Sequence, residues 1–108
     1  MRRARYNIYV IELDPEVLDV RKFREANPDY VEGMNCLYVG QTAAMPEERF
    51  EQHKEGYKAN RYARRYGRRL RPDLYERYNP ISSRERAENM EEAIAQRLRA
   101  RGYAVWYN

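Results

Sequence analysis

Few residues in this chain have the chemistry of a reactive site, and their spacing assigns most of them a place. At about 100° per residue, Ala87, Met90, Ile94 and Leu98 form the apolar face of a long helix. Glu91 lies on the rim of that face, about 60° from Ile94, whereas Glu92 points almost the opposite way and Glu88 lies further round. A carboxylate on the edge of a core-facing stripe must find a partner: an arginine, a hydrogen-bond network or a metal. From helix geometry alone, an ion pair with an arginine is the simplest reading. Arg49 and His53 are i, i+4 neighbours on another helix, with Phe50 the better core candidate. Taken singly, a lone His is more often structural than catalytic. Tyr9 and Tyr38 each sit in a short apolar run, where an aromatic residue needs no special explanation.

Charge is concentrated. From Lys54 to Arg71 there are eight basic residues (Lys54, Lys58, Arg61, Arg64, Arg65, Arg68, Arg69 and Arg71) and one acid, Glu55. If 61–68 is helical, Arg61, Arg64, Arg65 and Arg68 share one stripe while Tyr62, Ala63 and Tyr66 pack inward. Such a stripe suits a polyanion backbone, because each phosphate contact releases condensed counterions. A solvated basic face and an acidic protein partner are the other readings.

These residues are positioned by a short series of elements. Residues 6–13 read as a strand, rich in β-branched and aromatic side chains. Asp14 and Pro15 form an N-cap and first helical position, with Val17, Leu18 and Phe23 on the buried side and Asn27-Pro28 as the stop. A second strand follows over 36–41, a helix from Pro46 to Gly56, and a short helix from Asn60 to Gly67. Residues 70–81, with Pro72 and Pro80 around Leu74-Tyr75, read as extended chain with an edge strand. Ser82-Ser83-Arg84-Glu85 reads as a capping box that opens the longest helix. Gly102 closes it, and 103–107 reads as a last strand. The order is an α+β arrangement: a small, mainly antiparallel sheet of three to four strands flanked by helices.

Composition limits the alternatives. At 108 residues there is room for one domain, 1–108. One cysteine, Cys36, and one histidine, His53, exclude an internal disulfide framework, a Cys-rich zinc site and a His-cluster metal centre. A mean hydropathy of −1.08 and 35% charged residues argue against a membrane span or membrane partner. The basic opening Met1-Arg2-Arg3-Ala4-Arg5 lacks the apolar stretch of a signal peptide, so a cytoplasmic location is expected. Eleven tyrosines supply rings for a small core and hydroxyls for polar recognition.

Taken in order, these positions resemble the GIY-YIG nuclease family. Asn7-Ile8-Tyr9 resembles the first motif, with Asn where Gly is usual, and Tyr38-Val39-Gly40 resembles the second, followed by Gln41-Thr42. Arg49 falls where the family places its arginine, His53 where it commonly holds His or Tyr, and Glu91 on the family's later helix. Asn108 is a candidate for the family's late asparagine. The two tyrosines stand 29 positions apart, farther than is usual, so residues 14–32 read as an inserted helix and loop between the first two strands. The resemblance implies a metal-dependent endonuclease cleaving DNA, with RNA not excluded. Glu91 would hold one Mg²⁺ or Mn²⁺, and Arg49 would neutralise phosphoryl charge. A tyrosine, Tyr9 before Tyr38, would orient or deprotonate water, with Tyr38 and His53 in the same proton network. One glutamate among tyrosines and an arginine favours one metal over two. Two alternatives stand beside it: an inactive nucleic-acid-binding module of the same fold, and a small protein-interaction subunit. Without a separate DNA-reading module, specificity would come from 14–32, the basic run, a homodimer or a protein partner.

Overall fold

The computed structural model describes residues 5–108; most of the basic opening lies outside the described residues. Four strands form one sheet in the order β3-β1-β2-β4. β1 (Asn7–Leu13) runs antiparallel to β2 (Cys36–Thr42) and to β3 (Gly67–Leu70), and β4 (Ala104–Tyr107) runs parallel to β2. The sheet is therefore mixed, with two antiparallel pairs and one parallel pair. The helices are α1 (Arg21–Glu25), α2 (Pro46–Glu55), α3 (Arg61–Tyr66) and α4 (Arg84–Ala100). No helix among the described residues is long and apolar enough to cross a membrane.

Register divides the site from the rest of the core. Paired residues share a face and neighbours along a strand alternate. Tyr9 pairs with Gly40, Ile11 with Tyr38, and Tyr38 with Trp106, so these five side-chain positions look one way. That face is covered by α2, α3 and the insert: His53 meets Tyr9, while Phe23 and Tyr62 pack their rings 6.4 and 4.9 Å from that of Trp106. Ile8, Val10, Leu37, Val39 and Val105 look the other way and are buried. α4 lies on this second face, where Gln96 donates to the Tyr107 hydroxyl and Arg99 to the Val105 carbonyl.

The insert is part of this core. Asp14 caps as expected, accepting from the Glu16 N–H at 2.9 Å. The helix that follows breaks, because Val20 is extended (φ −82°, ψ 114°), leaving a 3-10 turn over Pro15–Asp19 and then α1. Val17 and Phe23 are fully buried and Leu18 is half-buried. Asn27 ties the segment to edge strand β4: its Oδ1 accepts from the Val105 N–H at 2.7 Å and from Arg99 Nε at 3.1 Å.

Three local expectations are corrected. Residues 70–81 hold no strand at Leu74-Tyr75; Pro72 instead starts a 3-10 turn, and a second covers Glu76–Tyr78. The edge strand is β3, just before this segment. The Asn79 side chain takes the role that a strand backbone would have had, accepting from the Ile8 N–H and donating to the Ile8 carbonyl, both at 2.8 Å. Second, helix α3 stops at Tyr66, so Arg68 leaves the predicted stripe. At Gly67 the chain turns so tightly that a Cβ would lie 2.2 Å from the Ala63 carbonyl oxygen, which requires glycine there. Third, the long helix is capped by Ser83, whose Oγ accepts from the Arg86 N–H; the residue three after the cap is thus Arg86, and no reciprocal glutamate bond forms.

Candidate active site

Tyr9, Tyr38 and His53 meet on the face covered by α2. All three are buried, and their ring centres lie 5.5–6.1 Å apart. Gly40 makes the arrangement possible. A Cβ on it would lie 2.4 Å from the Tyr9 hydroxyl oxygen, so the Tyr9 phenol occupies the space that any other residue at 40 would fill. Asn7, where the first motif usually has glycine, pairs with Thr42 and donates from Nδ2 to the Ala44 carbonyl at 3.0 Å. There it ties β1 to the loop that enters α2.

The hydrogen bonds fix the protonation of the histidine. The Asn60 N–H donates to His53 Nδ1 at 3.2 Å, so that nitrogen carries a lone pair. Burial first, and then Arg49, push the imidazole down to about 4, so it is neutral near pH 7 and its proton is on Nε2. His53 Nε2–H therefore donates to the Tyr9 hydroxyl oxygen at 2.8 Å. The Tyr9 hydrogen is left to turn to the Tyr38 oxygen. Burial holds Tyr9 well above its ordinary value, and Tyr38 adds to that rise while Arg49 opposes it. Tyr38 is pushed up less, to about 12, because the neighbouring Tyr9 hydroxyl and the hydrogen bond from Asn108 Nδ2 offset part of its desolvation. Tyr38, Arg49, His53, Lys58, Arg61 and Trp106 line a cleft, and Tyr9 lies behind them.

Arg49 is held rather than free. Its Nη1 donates to Gln52 Oε1 and to the Tyr57 carbonyl, and its Nη2 to the Lys58 carbonyl at 2.9 Å. The guanidinium thus fastens the loop after α2 while keeping its charge beside both phenols. Phe50, the expected core residue of this helix, is half-buried against the core.

Glu91 is reached from α4, across the sheet from His53, and still acts electrostatically on Tyr38, whose pKa it raises. The residue as a whole is 5% exposed, but its carboxylate oxygens are not sealed from solvent, and they form no hydrogen bond or ion pair among the described residues. The arginine partner that helix geometry alone suggested does not exist there. Burial, and then Glu88, push its carboxyl up to about 7. A mostly buried glutamate whose unpaired oxygens still open to solvent can take a cation. Among the described residues no three His, Cys, Asp or Glu side chains cluster, so Glu91 would hold such an ion with waters and a phosphate oxygen, the pattern Mg²⁺ favours. Glu92 is exposed.

The basic run is only partly available to a ligand. Arg68 pairs with Asp14, Arg69 with Glu12, and Arg71 with Glu12 and Asp73, each at 3.0 Å. Lys54 Nζ donates to the Arg64 and Gly67 carbonyls, which joins α2 to β3. Lys58, Arg61 and Arg65 are exposed and carry no acidic partner among the described residues; Lys58 and Arg61 border the cleft, and Arg64 leans over Gly56. Sequence reasoning missed Asn60, whose backbone sets the His53 tautomer, and gave Trp106 no part. Asn60 had a visible signal as a helix cap, which it is, accepting from the Tyr62 and Ala63 N–H groups.

The molecule is an α+β domain whose phenol, imidazole and guanidinium chemistry is gathered on one sheet face; Glu91, on α4, does not line that cleft and is linked to it by its electrostatic effect on Tyr38. A model of the GIY-YIG catalytic domain matches residues 31–104. The chain belongs to the GIY-YIG nuclease family. The match spans Tyr38, Arg49, His53 and Glu91 and begins after Tyr9, which joins the site through its pairing with Gly40. No curated protein and no solved structure matches the chain significantly.

Proposed function

We propose that this protein is a metal-dependent endonuclease that hydrolyses a DNA phosphodiester, leaving 5′-phosphate and 3′-hydroxyl ends. The observation that carries this reading is Glu91: buried, without a partner among the described residues, and electrostatically coupled to Tyr38 in a chain of a nuclease family. Glu91 would hold Mg²⁺ or Mn²⁺, which when bound would supply Lewis-acid stabilisation of the scissile phosphate and its departing 3′ oxygen. Arg49 opposes the negative charge that accumulates on the phosphoryl oxygens. Tyr38 is the hydroxyl that meets the attacking water, because it lines the cleft and its oxygen accepts from Asn108, which favours its deprotonated form. Tyr9 stands behind it and His53 orients Tyr9, so the family-based choice of Tyr9 for the water shifts to Tyr38. Lys58, Arg61 and Arg65 contact the flanking backbone.

The test is incubation with plasmid, branched and single-stranded DNA, with Mg²⁺ or Mn²⁺ and with EDTA, followed by single-turnover rates for variants. Cleavage should need the metal, and Glu91→Gln should abolish it while binding survives. Tyr38→Phe should lose about 10²–10³ in rate, and Tyr9→Phe less, since it removes a supporting bond. Wild-type rates for Glu91→Gln would overturn the mechanism; equal losses for the two tyrosines would remove the distinction between them. Binding without cleavage of any substrate would leave the inactive module.

A further inference from the structure

Between the turn Glu76–Tyr78 and the C-terminal half of α4 lies a groove whose polar lining is Asp73, Arg77, Tyr78, Arg97, Arg101 and Tyr103. It is on the α4 side of the sheet, away from the cleft at Tyr38. Arg77 Nη2 and Arg97 Nη1 both donate to the Tyr78 hydroxyl oxygen, each at 2.9 Å, so these two nitrogens are less than about 6 Å apart. Arg77 also lies over the Tyr78 ring and Arg101 over the Tyr103 ring, 4.9 and 5.7 Å from their centres. None of the three arginines has an ion-pair partner among the described residues. Asp73 does not serve: both its oxygens are taken by Arg71 at 3.0 Å.

Two exposed guanidinium groups around one oxygen repel each other only weakly in water, and an anion between them turns that repulsion into attraction. The donors here are arranged for one. With its oxygen accepting from two guanidinium groups, Tyr78 has its own O–H left to donate. The two guanidinium groups keep further N–H donors in the fork geometry that matches phosphoryl oxygens. Hydrogen bonding and charge from Arg77 and Arg97 also pull the Tyr78 hydroxyl below its ordinary value, which makes it a stronger donor.

We propose that the Arg77–Tyr78–Arg97 groove is a second phosphate-binding site, separate from the cleft and on the opposite face of the sheet. Its ligand is a phosphoryl group, from a nucleic-acid backbone or from a free phosphate.

The experiment is an NMR titration of the full chain in EDTA, following the arginine Nε resonances, with inorganic phosphate in one arm and a short single strand of DNA in the other. Saturable shifts of Arg77 and Arg97 are expected. Arg97→Gln and Tyr78→Phe should each weaken binding about tenfold, the loss of one charge-assisted hydrogen bond. The variant Arg21→Gln, which removes the same single charge as Arg97→Gln from an arginine paired elsewhere, should bind as the parent does. Saturation by DNA at far lower concentration than phosphate assigns a polynucleotide. Equal response in both arms assigns a free phosphoryl group. No saturable shift in either arm, or equal weakening in the control, overturns the site. Arg97 is exposed, so Arg97→Gln keeps the test valid if Tyr78→Phe fails to fold. Because nothing is cleaved in EDTA, the result is independent of the proposed nuclease activity.

Discussion

Glu91 and His53 are two buried ionisable residues that pull stability in opposite directions with pH. The Glu91 carboxyl is raised from an ordinary 4.5 to about 7, so its contribution is present below 4.5 and lost as pH rises through 7. Glu91→Gln should therefore raise Tm at pH 8 in EDTA by a few degrees, since it removes a buried charge without a partner, worth on the order of 1 kcal/mol or more. Scanning calorimetry checks this; a lower Tm for the variant would mean that Glu91 has a partner after all. His53 is lowered from 6.5 to about 4. Between those values the unfolded chain binds a proton that the folded chain does not, so stability falls as pH drops from 6.5 to 4. His53→Gln should flatten that stretch of a plot of urea midpoint against pH. The two windows overlap between 4.5 and 6.5, which is why each needs its own variant.

At the level of elements, what was legible in the sequence is what local chemistry decides. The apolar runs at 7–13 and 36–42, the Pro46 start and Gly56 end of α2, and the Asn60 cap of α3 all carry their own signals. The 70–81 segment was not legible, because an Asn79 side chain replaces a strand backbone there, and that depends on where Ile8 lies in space. The insert was legible as an addition with Val17, Leu18 and Phe23 on its buried side, but its fastening to β4 was not. Its anchor is Asn27, which gives edge strand β4 a partner for the Val105 N–H. Asn27→Ala would leave that buried group unpaired and loosen Arg99, at a cost of about 1–3 kcal/mol. Because Phe23 packs against Trp106 in the cleft wall, the same variant should also slow cleavage. Chemical denaturation and single-turnover rates measured together test both effects; unchanged stability would show that the insert is not fastened through this residue.

Over the whole molecule, basic charge that is concentrated in one run of the chain separates by face and by partner. Spacing placed Arg61, Arg64, Arg65 and Arg68 on one stripe, but a strand begins at Gly67 and turns the later arginines toward Asp14, Glu12 and Asp73. Sequence shows a basic run; only the pairing of β3 with β1 shows which of its members are already neutralised. Reversing Arg61 and Arg65 to Glu should therefore weaken DNA binding steeply and lower the salt slope of log affinity by roughly one per lost phosphate contact. Reversing Arg68 and Arg69 changes net charge equally, yet places Glu against Asp14 and Glu12 and should act first on folding, through like charges brought within ion-pair distance. Equilibrium binding at several salt concentrations, with melting temperatures for each variant, separates the two effects. If both pairs shift the salt slope alike with Tm unchanged, the ion pairs with Asp14 and Glu12 do not hold in solution, and the whole run from Lys54 to Arg71 faces the nucleic acid.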